Sequence, residues 1–175
     1  HRTAEHVADL LACSAGDVLV CSTGLIGERL PMDRLTAGVD AATAALAADG
    51  GADAARAIMT TDSVPKTVVV ERDGWTVGGM AKGAGMLAPG LATMLSVLTT
   101  DADASAEDLR AALRHAVRTT FDRVDSDGCM STNDTVVLLA SGASGRAVGR
   151  EELTDAVTAA CAVLARALVA DFLDV

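Results

Sequence analysis

Apolar positions along the chain fall either at helical spacings of three and four or in short runs of strand length. Val7, Leu10 and Leu11 make one helical stripe within residues 2–12. Asp17 to Cys21 (DVLVC) is a short apolar run between Gly16 and Ser22, which reads as a buried strand. Leu35, Val39, Ala42 and Leu46 then repeat at helical spacing across 31–48, with Pro31 and Asp33 as start signals. Asp49-Gly50-Gly51 ends that helix, and a second short one is expected to run to Met59. Thr67 to Glu71 and Trp75 to Met80 are β-branched runs flanking Arg72-Asp73-Gly74, and the Asp-Gly step signals a hairpin.

Residues 78–102 (GGMAKGAGMLAPGLATMLSVLTTDA) break the pattern, with five glycines and a proline leading into the apolar run Leu91 to Leu98. That run again predicts a buried strand. Ser105 with Asp108 three positions on resembles a capping box, and Leu109, Leu113, Val117 and Phe121 line one face of the helix that follows. Residues 122–134 are polar. Thr135 to Ala140 (TVVLLA) reads as a strand, and Glu151 to Phe172 as a long amphipathic helix. Strands and helices mix without a regular βαβ series, so the expected fold is a layered α/β sandwich in a single domain over 1–175.

Composition narrows the function. The 175 residues are 50% apolar and 22% charged, as in ordinary globular chains, and a chain of this length buries roughly 70% of its unfolded surface. Aromatics make up only 2% (Phe121, Phe172 and Trp75), so Ala, Val, Leu, Ile and Met must build the core. Acidic residues outnumber basic ones 24 to 14, for a net charge of −10. That balance argues against nucleic acid and against docking on anionic lipid. Cys13, Cys21, Cys129 and Cys161 are scattered without a CxxC pair, so buried, reduced thiols in a cytoplasmic protein are expected and a zinc site is not. No apolar stretch reaches membrane-spanning length, and no signal-peptide pattern opens the chain. His1 leads directly into a helical pattern, as expected of a chain cut from something longer.

The candidate chemistry reads two ways at most positions. Gly79 to Gly85 lacks the order of a phosphate-binding loop, and its glycines fit tight turns or close backbone approach. Asp125, Asp127 and Gly128 suggest a calcium loop, but that alignment puts Arg123 where the first carboxylate belongs. Of the 14 basic residues only Lys66 and Lys82 are lysine. Lys82 is either solvated or a compact ammonium for a substrate carboxylate. Ser22-Thr23-Gly24 is a polar turn or a set of backbone donors for an oxyanion. Thr93, after Ala92, is a half-buried strand residue or a nucleophile freed by chain cleavage. In the second case its own α-amine, with a pKa of about 7.7–8.0, takes the hydroxyl proton.

Four segments carry a resemblance: CSTGLIGERLPMD (21–33), AIMTTDSVPK (57–66), WTVGGMAKGAGMLAPGLATMLSVLTTDA (75–102) and DGCMSTNDTVVLLASG (127–142). In this order they resemble the ornithine acetyltransferase (glutamate N-acetyltransferase) family of arginine biosynthesis. The resemblance implies an α/β (α+β) sandwich of the self-processing type, related to N-terminal nucleophile folds. It implies self-cleavage between Ala92 and Thr93, which assigns residues 1–92 to an α chain and residues 93–175 to a β chain, with Thr93 as nucleophile. Thr23 and Gly24 match the oxyanion-stabilising pair, and Thr60, Lys82 and Thr93 match substrate contacts.

The implied reaction moves acetyl from N-acetylornithine to glutamate, without a resident cofactor, in an α2β2 assembly. Acetyl-CoA is a further donor in some members. Family members extend beyond this chain at both ends and carry Glu-Gly after the last helix, where this chain has Leu173-Asp174. Two alternatives stay open at this point. One is an N-terminal nucleophile amidohydrolase or aminopeptidase, and the other is an inactive truncated piece.

Overall fold

A computed structural model describes residues 1–23, 27–84, 94–125, 128, 131 and 133–173. The chain divides into two compact units, His1–Gly51 and Ala52–Val175.

In the first unit α1 (Arg2–Leu11) packs on α2 (Met32–Ala44), and His6 Nε2 is hydrogen bonded to Asp40 Oδ1 at 2.7 Å. The expected strand at 17–21 does not form. Ser14 Oγ accepts the Gly16 N–H at 3.1 Å and starts a one-turn 3-10 helix, Ala15–Asp17. Beyond it Leu19 stays 64% exposed. A strand needs a ladder partner for its N–H and C=O groups, and none of the described residues supplies one. α2 also stops earlier than the periodicity predicts, and Leu46 beyond its end is 71% exposed.

The second unit is a mixed α+β fold. α3 (Gly51–Ala57) leads into β1 (Lys66–Arg72), β2 (Trp75–Lys82), β3 (Leu95–Thr100), α4 (Ala106–Thr119), β4 (Thr135–Ala140) and α5 (Arg150–Leu173). The strands form one sheet in the order β1-β2-β3-β4. The first three run antiparallel, and β4 lies parallel to β3 across the α4 crossover. The predicted hairpin is present, with Gly74 at φ 80° where a side chain would be strained. Of the predicted strand at 91–98, residues 95–98 lie in β3, which starts at Leu95 and runs on to Thr100, and residues 91–93 lie outside the described residues. Ser105 caps α4, its Oγ accepting the Asp108 N–H at 3.1 Å while its hydroxyl donates to Asp108 Oδ2 at 2.7 Å.

Register explains the core. Val68, Gly79, Leu98 and Leu138 align across the four strands on one face, which α4 and α5 cover. Gly79 makes room for the helix: a Cβ there would lie 3.3 Å from Leu98 and Val68 and 3.4 Å from Leu164 of α5. α5 is long and apolar enough, by length and composition, to cross a membrane. Its apolarity serves the core instead, with Leu153, Ala156, Val157, Ala160, Cys161, Leu164 and Leu168 buried at helical spacing.

The cysteines depart from expectation. Cys161 is buried, and burial pushes its thiol up to about 12, but Cys13 is exposed and Cys21 half-buried. Both of these lie on the first unit, which buries little apolar surface. Cys129 lies outside the described residues.

Candidate active site at one end of the sheet

Strand direction gathers the polar groups. β1 begins, β2 ends, and β3 and β4 begin at the same end of the sheet, so Lys66, Lys82, Met94 and Asp134 meet there. Lys66 pairs with Ala81, and Lys82 with Leu95, which in turn pairs with Thr135. An open cavity of about 440 Å³ at the opposite end, lined by Thr76, Thr100, Asp101 and Ser141, contains none of these residues.

Two carboxylates and one ammonium form the base of the site. Lys66 Nζ donates to Asp62 Oδ1 at 2.7 Å and to Asp171 Oδ2 on α5, with all three side chains at most 1% exposed. Ser63 adds its N–H at 3.2 Å and its hydroxyl to Asp171. Asp62 also accepts the Gly83 N–H at 2.6 Å and the Thr60 N–H at 3.2 Å. Burial works to raise both aspartate pKa values. The Lys66 bonds, with the backbone donors at Asp62 and the Ser63 bonds at Asp171, prevail and hold both below the usual carboxylate value.

Lys82 lies beside this network. It is 1% exposed and makes no hydrogen bond or ion pair among the described residues, which overturns the solvated reading. Burial pushes its pKa down; Asp62 opposes that shift, Lys66 adds to it, and Asp134 opposes it. Asp134 lies just before β4, and its Oδ1 accepts the Met94 N–H at 2.7 Å. Its Oδ2 is enclosed without a hydrogen-bond partner among the described residues. Burial raises the Asp134 pKa against the Met94 bond and the Lys82 charge. An ammonium in so desolvated a setting can attract a carboxylate strongly.

Of the residues singled out from sequence, Thr60 and Lys82 are brought together, because Asp62 ties the Thr60 backbone to Gly83, the residue after Lys82. Thr60 itself is exposed. Thr23 is half-buried in the first unit. Gly24, Ala92 and Thr93 lie outside the described residues. Sequence reasoning missed Asp62, Asp171 and Asp134 as site groups. One signal was available: in a chain with 12 Arg among 14 basic residues, Lys66 is as exceptional as Lys82.

A mixed α+β chain that gathers two buried lysines and three aspartates at one sheet end has the build of an enzyme-site scaffold. The chain belongs to the ArgJ family, whose model matches residues 1–172. It is 65% identical over 171 residues to the arginine biosynthesis bifunctional protein ArgJ of Streptomyces avermitilis, covering 98% of this chain and 45% of that protein. The proteins of the same name from Thermobifida fusca and Mycobacterium leprae are similar at 61% over 169 residues and 59% over 179. These matches cover 97% and 98% of this chain and 44% of each relative. The chain thus spans less than half the length of the curated relatives it matches.

Proposed function

We propose that the full-length protein containing this chain is a self-processing acetyltransferase that moves acetyl from N-acetylornithine to glutamate. In the precursor, Thr93 Oγ attacks the Ala92 carbonyl, and the resulting ester is hydrolysed, leaving Thr93 with a free amine. In the mature protein that amine takes the Thr93 hydroxyl proton as Oγ attacks the acetyl carbonyl. Backbone donors at Thr23 and Gly24 stabilise the oxyanion. Ornithine leaves with the proton, and the glutamate amine then takes acetyl from the threonine ester. Thr60 contacts substrate, and Lys82 pairs with the carboxylate that donor and acceptor both carry.

Lys82 carries the reading. A buried ammonium without an ion-pair partner among the described residues stands at the sheet end where the chain enters β3 two residues after Thr93. The relatives' names place them in arginine biosynthesis, which supports ornithine as the leaving group. The reading includes the self-processing type of sandwich related to N-terminal nucleophile folds, α2β2 assembly, a cytoplasmic setting, and acetyl-CoA as a second donor.

The test is an assay of the full-length protein with N-acetylornithine and glutamate. N-acetylglutamate should form with ping-pong kinetics, and without glutamate an acetyl group should accumulate on Thr93. Release of free acetate, independent of glutamate, would instead identify a hydrolase using the same nucleophile. A single uncut chain without transfer would refute both.

A further inference from the structure

Three charged groups act on Lys82, yet it forms an ion pair with none of them. Asp62 before β1 and Asp134 before β4 attract its ammonium, and Lys66 at the start of β1 repels it. The reason lies in how the carboxylate of Asp62 is occupied. Its Oδ1 accepts Lys66 Nζ at 2.7 Å and the Gly83 N–H at 2.6 Å, and its Oδ2 accepts the Thr60 N–H at 3.2 Å. A carboxylate oxygen offers about two lone-pair positions, so Oδ1 is filled. Lys66 is held in place from its other side by Asp171 on α5, to which Ser63 also donates.

Two consequences meet at Lys82. The Asp62 and Lys66 side chains are at most 1% exposed, so water does little to screen the Asp62 charge from the neighbouring ammonium. The same carboxylate also binds backbone N–H groups two residues before it and 21 residues after it. It thereby joins Thr60 to Gly83, the residue next to Lys82.

We infer that Asp62 is a positioning residue for the substrate carboxylate. It fixes the backbone at Thr60 and Gly83 and favours the ammonium form of Lys82, while Lys66 occupies it and so leaves Lys82 free for substrate. The inference rests on the proposed function, in which N-acetylornithine and glutamate each present a carboxylate to Lys82.

The test compares the processed full-length protein as wild type and Asp62→Asn, with N-acetylornithine and glutamate as substrates. Should Asp62→Asn not cut itself, its two chains are co-expressed, the second beginning at residue 93 after removal of the initiator Met. An ammonium that loses a neighbouring carboxylate gives up its proton at lower pH. In Asp62→Asn the basic limb of kcat/KM should therefore move down by about one pH unit. KM for both substrates should rise about 10-fold, with kcat per acetylated Thr93 kept within about threefold.

A residue that only braces the fold would lower the number of active sites and leave KM and the limb in place, which overturns the inference. Either effect without the other also overturns it. Should Asp62→Asn not fold, Asp62→Glu carries the test, with the charge kept and the reach changed. Its KM should rise about threefold or more with the limb in place, and an unchanged KM overturns the inference. Absence of acetyl-Thr93 in the wild type would instead refute the proposed function itself.

Discussion

Lys66 and Asp171 stand 105 residues apart in the chain and share a buried ion pair that joins the start of β1 to the end of α5. Asp62 takes the other side of the same ammonium and holds the backbone at Thr60 and Gly83. The conformation around Lys82 thus depends on a helix from the far end of the chain. Breaking a buried pair strands its partners, so Lys66→Met should destabilise the protein by about 3–5 kcal/mol. Urea unfolding measures this, and a loss below about 1 kcal/mol would show that the network does not hold the site.

The same network sets a pH dependence. Asp62 and Asp171 both have folded pKa values below their ordinary value of 3.8. Their contribution is therefore fully present above about pH 4 and is lost as pH falls through the lowered values, where the folded state must take up protons. The thermal midpoint should drop on acidification below about pH 4, and the drop should shrink in Asp171→Asn. An identical acid profile in that variant would contradict the assignment.

Lys82 has the opposite sign. Its pKa is lowered chiefly by burial, so the folded state penalises its charged form. Lys82→Met should raise the thermal midpoint. It should also lower kcat/KM for N-acetylornithine by about 10- to 100-fold through KM, because a charge-assisted contact to the substrate carboxylate is lost. Unchanged KM would remove Lys82 from the substrate site.

Gly79 tests the packing of α5 on the sheet. A methyl group there meets Leu98, Val68 and Leu164 at 3.3–3.4 Å, with a sheet on one side and a helix on the other. Gly79→Ala should cost about 1–3 kcal/mol by overpacking. A variant as stable as wild type in denaturant unfolding would mean that α5 shifts freely.

Much of the fold was legible because its signals are local. Asp73-Gly74 specified the hairpin turn, Ser105 and Asp108 the start of α4, and the periodicity of 151–172 the core helix. The DVLVC run failed because a strand is defined by its partner, and five letters do not say whether one exists. The site divides in the same way. Lys82 stood out by composition and context, whereas Asp62, Lys66 and Asp171 form a network across more than a hundred residues of chain. Asp134 carried no local signal, because its bond to Met94 follows from the parallel pairing of β3 and β4.

Intact mass of the full-length protein, before and after N-acetylornithine without acceptor, tests the central claim most directly. The account predicts two chains meeting at 92/93, with one acetyl group gained by the second chain at Thr93, and a single uncut, unacetylated chain for Thr93→Ala. A Thr93→Ala protein that is still cut at that bond and still transfers acetyl would contradict it.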